Sequence, residues 1–125
     1  MKIKLCLLGT ASGIPTKKRY NESVALIINK NAYLLDAGEP CSSSLIRKGI
    51  DYNKISAVFI SHMDADHSAG IPMLVQTMQL GRKRKKTLKI FLPEASEQIK
   101  KYLEMMYLMS EIIPFKIKFF QLSRM

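Results

Sequence analysis

A dense run of metal-binding side chains placed directly after an apolar strand constrains this sequence more than any other feature. Ile55 to Ile60 reads as a strand and feeds straight into Ser61-His62-Met63-Asp64-Ala65-Asp66-His67. Four candidate metal ligands, His62, Asp64, Asp66 and His67, fall within six residues. In an extended loop, residues two apart point the same way, so His62 and Asp64 can share one ion. Asp66 and His67 fall where the next helix is expected to begin, and they point elsewhere, toward a second ion. A zinc ion takes three or four ligands, at about 2.0–2.2 Å for nitrogen and oxygen. The competing reading makes Asp66 a helix N-cap and leaves the histidines at the surface. The ligand density weighs against it, as does the position at a strand's C-terminal end, where open α/β sheets carry their sites.

The rest of the chain supplies a setting for this run. Lys2 to Leu8, Ser23 to Ile28 and Ala32 to Leu35 read as strands, the last two joined by a turn at Asn29-Lys30-Asn31. Gly9 to Thr16 is a Gly- and Pro-punctuated loop, continued by the solvated Lys17-Lys18-Arg19. Helices are expected over Ser42–Lys48, stopped by Gly49, over Ser68–Leu80, and from Pro93 to about Met109. Leu88–Leu92 and Phe115–Leu122 complete the strands. Strands interspersed with helices predict an α/β layered fold, a mixed sheet with helices packed on it. Residues 1–125 are expected to form a single domain. The last strand has no helix after it, so the domain is expected to lack its C-terminal part.

Charge narrows the choice of partners. The net charge is +10, split as nine basic and six acidic side chains in residues 1–81 against eleven and four in 82–125. Such a surface favours polyanions, RNA first among them, although a lysine-rich protein is also basic simply for solubility. Arg82, Lys83, Arg84, Lys85 and Lys86 have no aromatic residues among them, so they are candidates for contacts to an RNA backbone rather than to bases. The longest uncharged stretch, His67 to Gly81, is too short to cross a bilayer, which excludes a membrane-spanning protein. Two cysteines and no apolar leader predict a cytoplasmic protein with reduced thiols. Cys6 is expected in the core and Cys41 as a candidate for exposure, neither as a metal ligand.

The motifs taken together resemble the ribonuclease Z branch of the metallo-β-lactamase superfamily, the nucleases that trim transfer-RNA 3′ ends. Leu8-Gly9-Thr10-Ala11-Ser12-Gly13-Ile14-Pro15-Thr16 resembles the N-terminal loop of that branch, and Leu35-Asp36-Ala37-Gly38-Glu39 its acidic turn. His62 to His67 resembles its metal motif, and Ser68 to Gln79 the helix that follows. The resemblance implies a metallo-β-lactamase-like βαβ sandwich, present here as about half of the usual four-layer domain. It implies two zinc ions and hydrolysis of an RNA phosphodiester, with a transfer-RNA precursor as the substrate class. By the same resemblance His62 and position 64 hold the first ion, and Asp66 and His67 the second. Asp66 is also the catalytic residue that helps activate water. Asp36 accepts a hydrogen bond from a ligand histidine and orients it. Read without the resemblance, Asp36 is as well explained as a strand-end turn residue.

Two departures qualify the resemblance. The family has histidine where this chain has Asp64, and a carboxylate shifts preference toward manganese or magnesium. No histidine follows His67, so the ligands that the family draws from its second half are missing. The expectation is then either a hydrolase whose site is completed by a homodimer or a second chain, or a non-catalytic half-domain that binds a partner. Other hydrolases of the same fold, acting on phosphodiesters, sulfate esters or thioesters, stay open as well.

Overall fold

A computed structural model of the chain describes residues 1–108 and 113–122. Six strands form one sheet in chain order: β1 (Ile3–Gly9), β2 (Ser23–Ile28), β3 (Asn31–Leu35), β4 (Ile55–Phe59), β5 (Leu88–Leu92) and β6 (Ile117–Gln121). β1, β2 and β3 pair antiparallel, and β3, β4, β5 and β6 pair parallel. The expected mixed sheet with helices is therefore present. The parallel pairs need crossovers, and the helices α1 (Cys41–Arg47), α2 (Ala65–Ser68), α3 (Ile71–Gly81) and α4 (Ser96–Met105) lie in those crossovers.

The core lies between the sheet and the helices. Leu34, Val58 and Ile90 from adjacent central strands are fully buried, together with Leu45 of α1 and Leu74, Val75 and Met78 of α3. Leu74, Val75 and Met78 recur at helical spacing, which is why this segment is a helix and why this is the face it buries. Among the described residues no helix is long and apolar enough to cross a membrane.

Three element boundaries differ from the sequence expectation. The helix expected over Ser68–Leu80 is two helices broken at Ala69-Gly70. A Cβ on Gly70 would lie 2.6 Å from Cys41 Sγ and 2.7 Å from the Ala37 carbonyl oxygen, so the chain presses against the acidic turn at this point. Pro72, which lacks an N–H, then sits in the first turn of α3. The helix expected from Pro93 begins only at Ser96, because Ala95 is left-handed with φ 63°. It ends at Met105, where Tyr107 is left-handed and the Leu108 N–H donates to the Leu103 carbonyl at 2.8 Å. Met109, its expected end, lies outside the described residues. The last strand is Ile117–Gln121 rather than Phe115–Leu122; Phe115 is buried ahead of it, under the Arg84 guanidinium at 5.3 Å.

Candidate metal centre

The site forms where β3 and β4 end. Asp36, the residue after β3, is left-handed at φ 60°, a conformation that Asp tolerates better than most residues. Its N–H donates to the Phe59 carbonyl at 2.7 Å, and its own carbonyl accepts from Ser23 Oγ at 2.8 Å. This backbone pose turns the carboxylate toward the segment after β4. There it accepts from the Ser61 N–H at 2.7 Å, from Ser61 Oγ at 2.8 Å and from His67 Nδ1 at 2.9 Å. A buried carboxylate is thus fully partnered, which is the condition for keeping its charge out of water.

Two backbone bonds tie the acidic turn to the motif. The Ala37 N–H donates to the His67 carbonyl and the Gly70 N–H to the Ala37 carbonyl, both at 2.7 Å. Gly38 fits between them: a Cβ there would lie 2.5 Å from the Asp66 carbonyl oxygen, so only glycine allows the approach.

The four motif side chains come together. His62 Nε2 is 3.7 Å from Asp64 Oδ2, and His67 Nε2 is 3.1 Å from Asp66 Oδ2. The two pairs lie side by side, the imidazole rings with centroids 3.8 Å apart and planes tilted by 46°. Ser61 Oγ gives its proton to Asp36, so the 3.0 Å contact with His62 is Nδ1–H donating to Ser61 Oγ. Both Nδ1 atoms are therefore engaged, and each Nε2 is the atom left to hold an ion. His67 is buried, whereas the side chains of His62 and Asp64 are 51% and 77% exposed, so the site opens to solvent on their side.

Electrostatics favour a charged His67. Burial alone pulls its pKa down. The Asp36 hydrogen bond and the charges of Asp36, Asp66 and Glu22 outweigh this and leave it raised above the ordinary value. A divalent ion at Nε2 would take the place of that proton. The donor set fits such an ion: two imidazoles with fixed tautomers beside several carboxylates.

Glu22 escaped the sequence reading. It lies just before β2, far from the motif in sequence, and no local pattern marks it. Its Oε2 is 3.8 Å from His67 Nδ1, and Glu22, Asp36 and His67 each offer an atom within 4.8 Å of the others. Cys41, a candidate for exposure, is buried instead, and burial pushes its thiol up to about 12, so it stays a neutral core group. Cys6 is half-buried and packs against the core.

The basic run requires a correction. Arg84 is 2% exposed and cannot reach an RNA backbone. It donates to the carbonyls of Asn53, Ile55, Lys86 and Thr87, using its fork to satisfy the turns that enter β4 and β5. Lys86 Nζ donates to the Lys54 carbonyl and Ser56 Oγ. Arg82, Lys83 and Lys85 are exposed, but the loop sits at the N-terminal ends of these strands. The metal motif follows the C-terminal end of β4, a strand length of roughly 17 Å away.

Comparison with known proteins agrees with this architecture. Ribonuclease Z of Methanococcus maripaludis is 38% identical over 106 residues, 84% of this chain and 33% of the relative. Human tRNase Z, short form, superposes with a TM-score of 0.82 at 23% identity, over 97% of this chain and 46% of that one. The metallo-beta-lactamase fold protein YhfI from Bacillus subtilis gives a TM-score of 0.72 at 21% identity, over 98% and 47%. The chain spans about a third of the length of the ribonuclease Z relative, and under half of each of these two solved chains. A family described as "Anti-Pycsar protein Apyc1" matches residues 3–108. With that match over most of its length and the fold of its structural neighbours, the chain belongs to the Anti-Pycsar protein Apyc1 family and carries a metallo-β-lactamase fold.

Proposed function

We propose that this chain carries the metal-holding part of a ribonuclease Z-like hydrolase that cleaves an RNA phosphodiester. The observation that carries the reading is the convergence of His62, Asp64, Asp66 and His67 beside Asp36, at the ends of two parallel strands. Similarity to ribonuclease Z at 38% identity supports it from outside the geometry.

His62 and Asp64 would hold one divalent ion, and Asp66 and His67 a second. Bound ions supply Lewis acidity toward water and the phosphoryl oxygens. The chain's own residues do the rest. Asp36 holds His67 Nδ1 and fixes the direction of Nε2. Ser61 bridges Asp36 and His62, so the two imidazoles are oriented from one anchor. Asp66, beside His67 Nε2, is placed to accept a proton from the attacking water. With carboxylates outnumbering imidazoles, manganese is favoured over zinc compared with a histidine-richer site. RNA, with a transfer-RNA precursor as the candidate, is held by basic groups other than Arg84.

Native mass spectrometry with manganese or zinc tests the reading, followed by cleavage of a transfer-RNA precursor. Stoichiometric ions that are lost in His62→Ala, with cleavage lost in Asp66→Asn, are expected. A chain that binds neither ion stoichiometrically does not carry a metal-holding site, and the proposal fails.

A further inference from the structure

Four lysines from four different segments converge at the end of the sheet away from the metal centre. Lys4 lies in β1, Lys30 in the turn between β2 and β3, Lys48 just after α1, and Lys54 just before β4. They line one hollow of about 170 Å³, together with Asn29, Asn31 and Asp51. All four are exposed, and among the described residues none of their ammonium groups forms an ion pair. Like charges gathered round one hollow repel, so an anion seated among them relieves the arrangement.

The polar groups beside the lysines are set up as donors too. Asp51, the one acid lining the hollow, has Oδ1 taken by the Asn53 N–H at 2.9 Å. Asn29 Oδ1 accepts from the Lys2 N–H at 3.1 Å, and Asn31 Oδ1 from Ser56 Oγ at 3.4 Å. Each carboxamide therefore keeps its NH₂ group to offer. Ser56 Oγ in turn accepts from Lys86 Nζ at 3.2 Å, and Lys86 also donates to the Lys54 carbonyl at 3.1 Å. The cluster thus runs on into the loop before β5.

We infer that this end of the sheet binds the phosphodiester backbone of an RNA, with one phosphate seated in the lysine hollow. Three observations select that ligand. The hollow is smaller than the roughly 300–1,000 Å³ of pockets that enclose a small molecule, so it takes one phosphate of a longer strand rather than a whole free nucleotide. The charge continues as a stripe: β3, β4 and β5 lie side by side, and Lys30, Lys54 and Lys86 stand just ahead of them in turn, across about 10 Å. The apolar part of the lining, Ile27, Ala32 and Ile50, is buried or half-buried, so the surface has nothing to stack on bases or to insert among lipids.

The inference rests on the RNA reading for the identity of its ligand, but binding at this end needs no ion at the metal centre. The metal motif is a strand length of roughly 17 Å away, so the phosphate held here is not the one cleaved. It belongs to a part of the RNA farther along the strand, and the surface acts by positioning.

Fluorescence anisotropy of a fluorescein-labelled transfer-RNA precursor, in chelator and over a range of salt, tests this, and a failed metal centre leaves the result intact. Lys30→Gln, Lys48→Gln and Lys54→Gln combined should weaken binding by about tenfold or more, and should lower the slope of log affinity against log salt by about 2. The three side chains are exposed, so the variant should keep the wild-type melting temperature, which separates lost binding from lost folding. Lys89→Gln, Lys101→Gln and Lys118→Gln combined remove the same charge from elsewhere and should cost less than about threefold. Equal losses for the two triple variants would mean that the RNA senses net charge alone, and would overturn the inference. An RNA affinity that the first variant leaves unchanged would overturn it as well. If that variant then no longer sediments with phosphatidylserine vesicles, the surface belongs to an anionic membrane instead.

Discussion

Asp36 shows how much of a site can rest on one side chain. Its carboxylate accepts from the Ser61 backbone, the Ser61 hydroxyl and His67 Nδ1. Asp36→Asn keeps the size and the tolerance for a left-handed backbone, but removes the charge. In chelator, the variant should lose about 2 kcal/mol, the scale of hydrogen bonds to a charged group. The loss also depends on pH. The folded pKa of His67 is raised above its ordinary value, so its contribution is complete below that ordinary value and disappears as pH rises through the folded one. The gap between wild type and Asp36→Asn in urea unfolding should therefore be widest in mild acid and narrow toward alkaline pH. A gap of constant size would show that His67 is not charged by Asp36. Asp64 makes a separate case. With its side chain 77% exposed, Asp64→His should fold normally and gain at least tenfold in zinc affinity over manganese by isothermal titration. No gain would mean that position 64 does not face the ion.

At the scale of elements, what the sequence made legible and what it hid divide along a physical line. Strands β1 to β5 could be read because alternation and β-branched runs are local signals, as in Ser23–Ile28 and Ile55–Phe59. The metal motif could be read because its ligands lie within a few residues of each other. The break between α2 and α3 could not, because it is set by Cys41 and Ala37 across the fold rather than by residues 68–80. Glu22 and Arg84 were hidden for the same reason: one is a lone acid before a strand, and the other sits in a charge run that looks solvated. Gly70→Ala puts this to the test. Its Cβ would meet Ala37 and Cys41, at about 1–3 kcal/mol for forced overpacking. Cys41→Ala in the same chain should restore only part of the stability, since the Ala37 carbonyl still collides. Full rescue would place the whole constraint on the thiol.

For the whole molecule, the two faces of the sheet predict opposite responses to the same kind of change. Ile90 points into the helix-covered core and is fully buried, whereas Leu5, on the bare face, is 60% exposed. Truncating Ile90 to alanine opens a cavity that neighbours fill only in part, at about 3–4 kcal/mol. Truncating Leu5 removes a side chain still largely in water, so the cost stays below about 0.5 kcal/mol. A difference this large between two apolar residues of one sheet is expected only if the second layer is missing during the measurement. The same logic makes the isolated chain's stability low for its composition, because apolar area left in contact with water contributes nothing to folding. Urea unfolding of wild type, Ile90→Ala and Leu5→Ala, each at two protein concentrations, measures the asymmetry directly. Equal losses at both sites would mean that the bare face is already covered in solution. A midpoint for Leu5→Ala that falls on dilution while wild type stays fixed would identify that cover as another molecule of the chain.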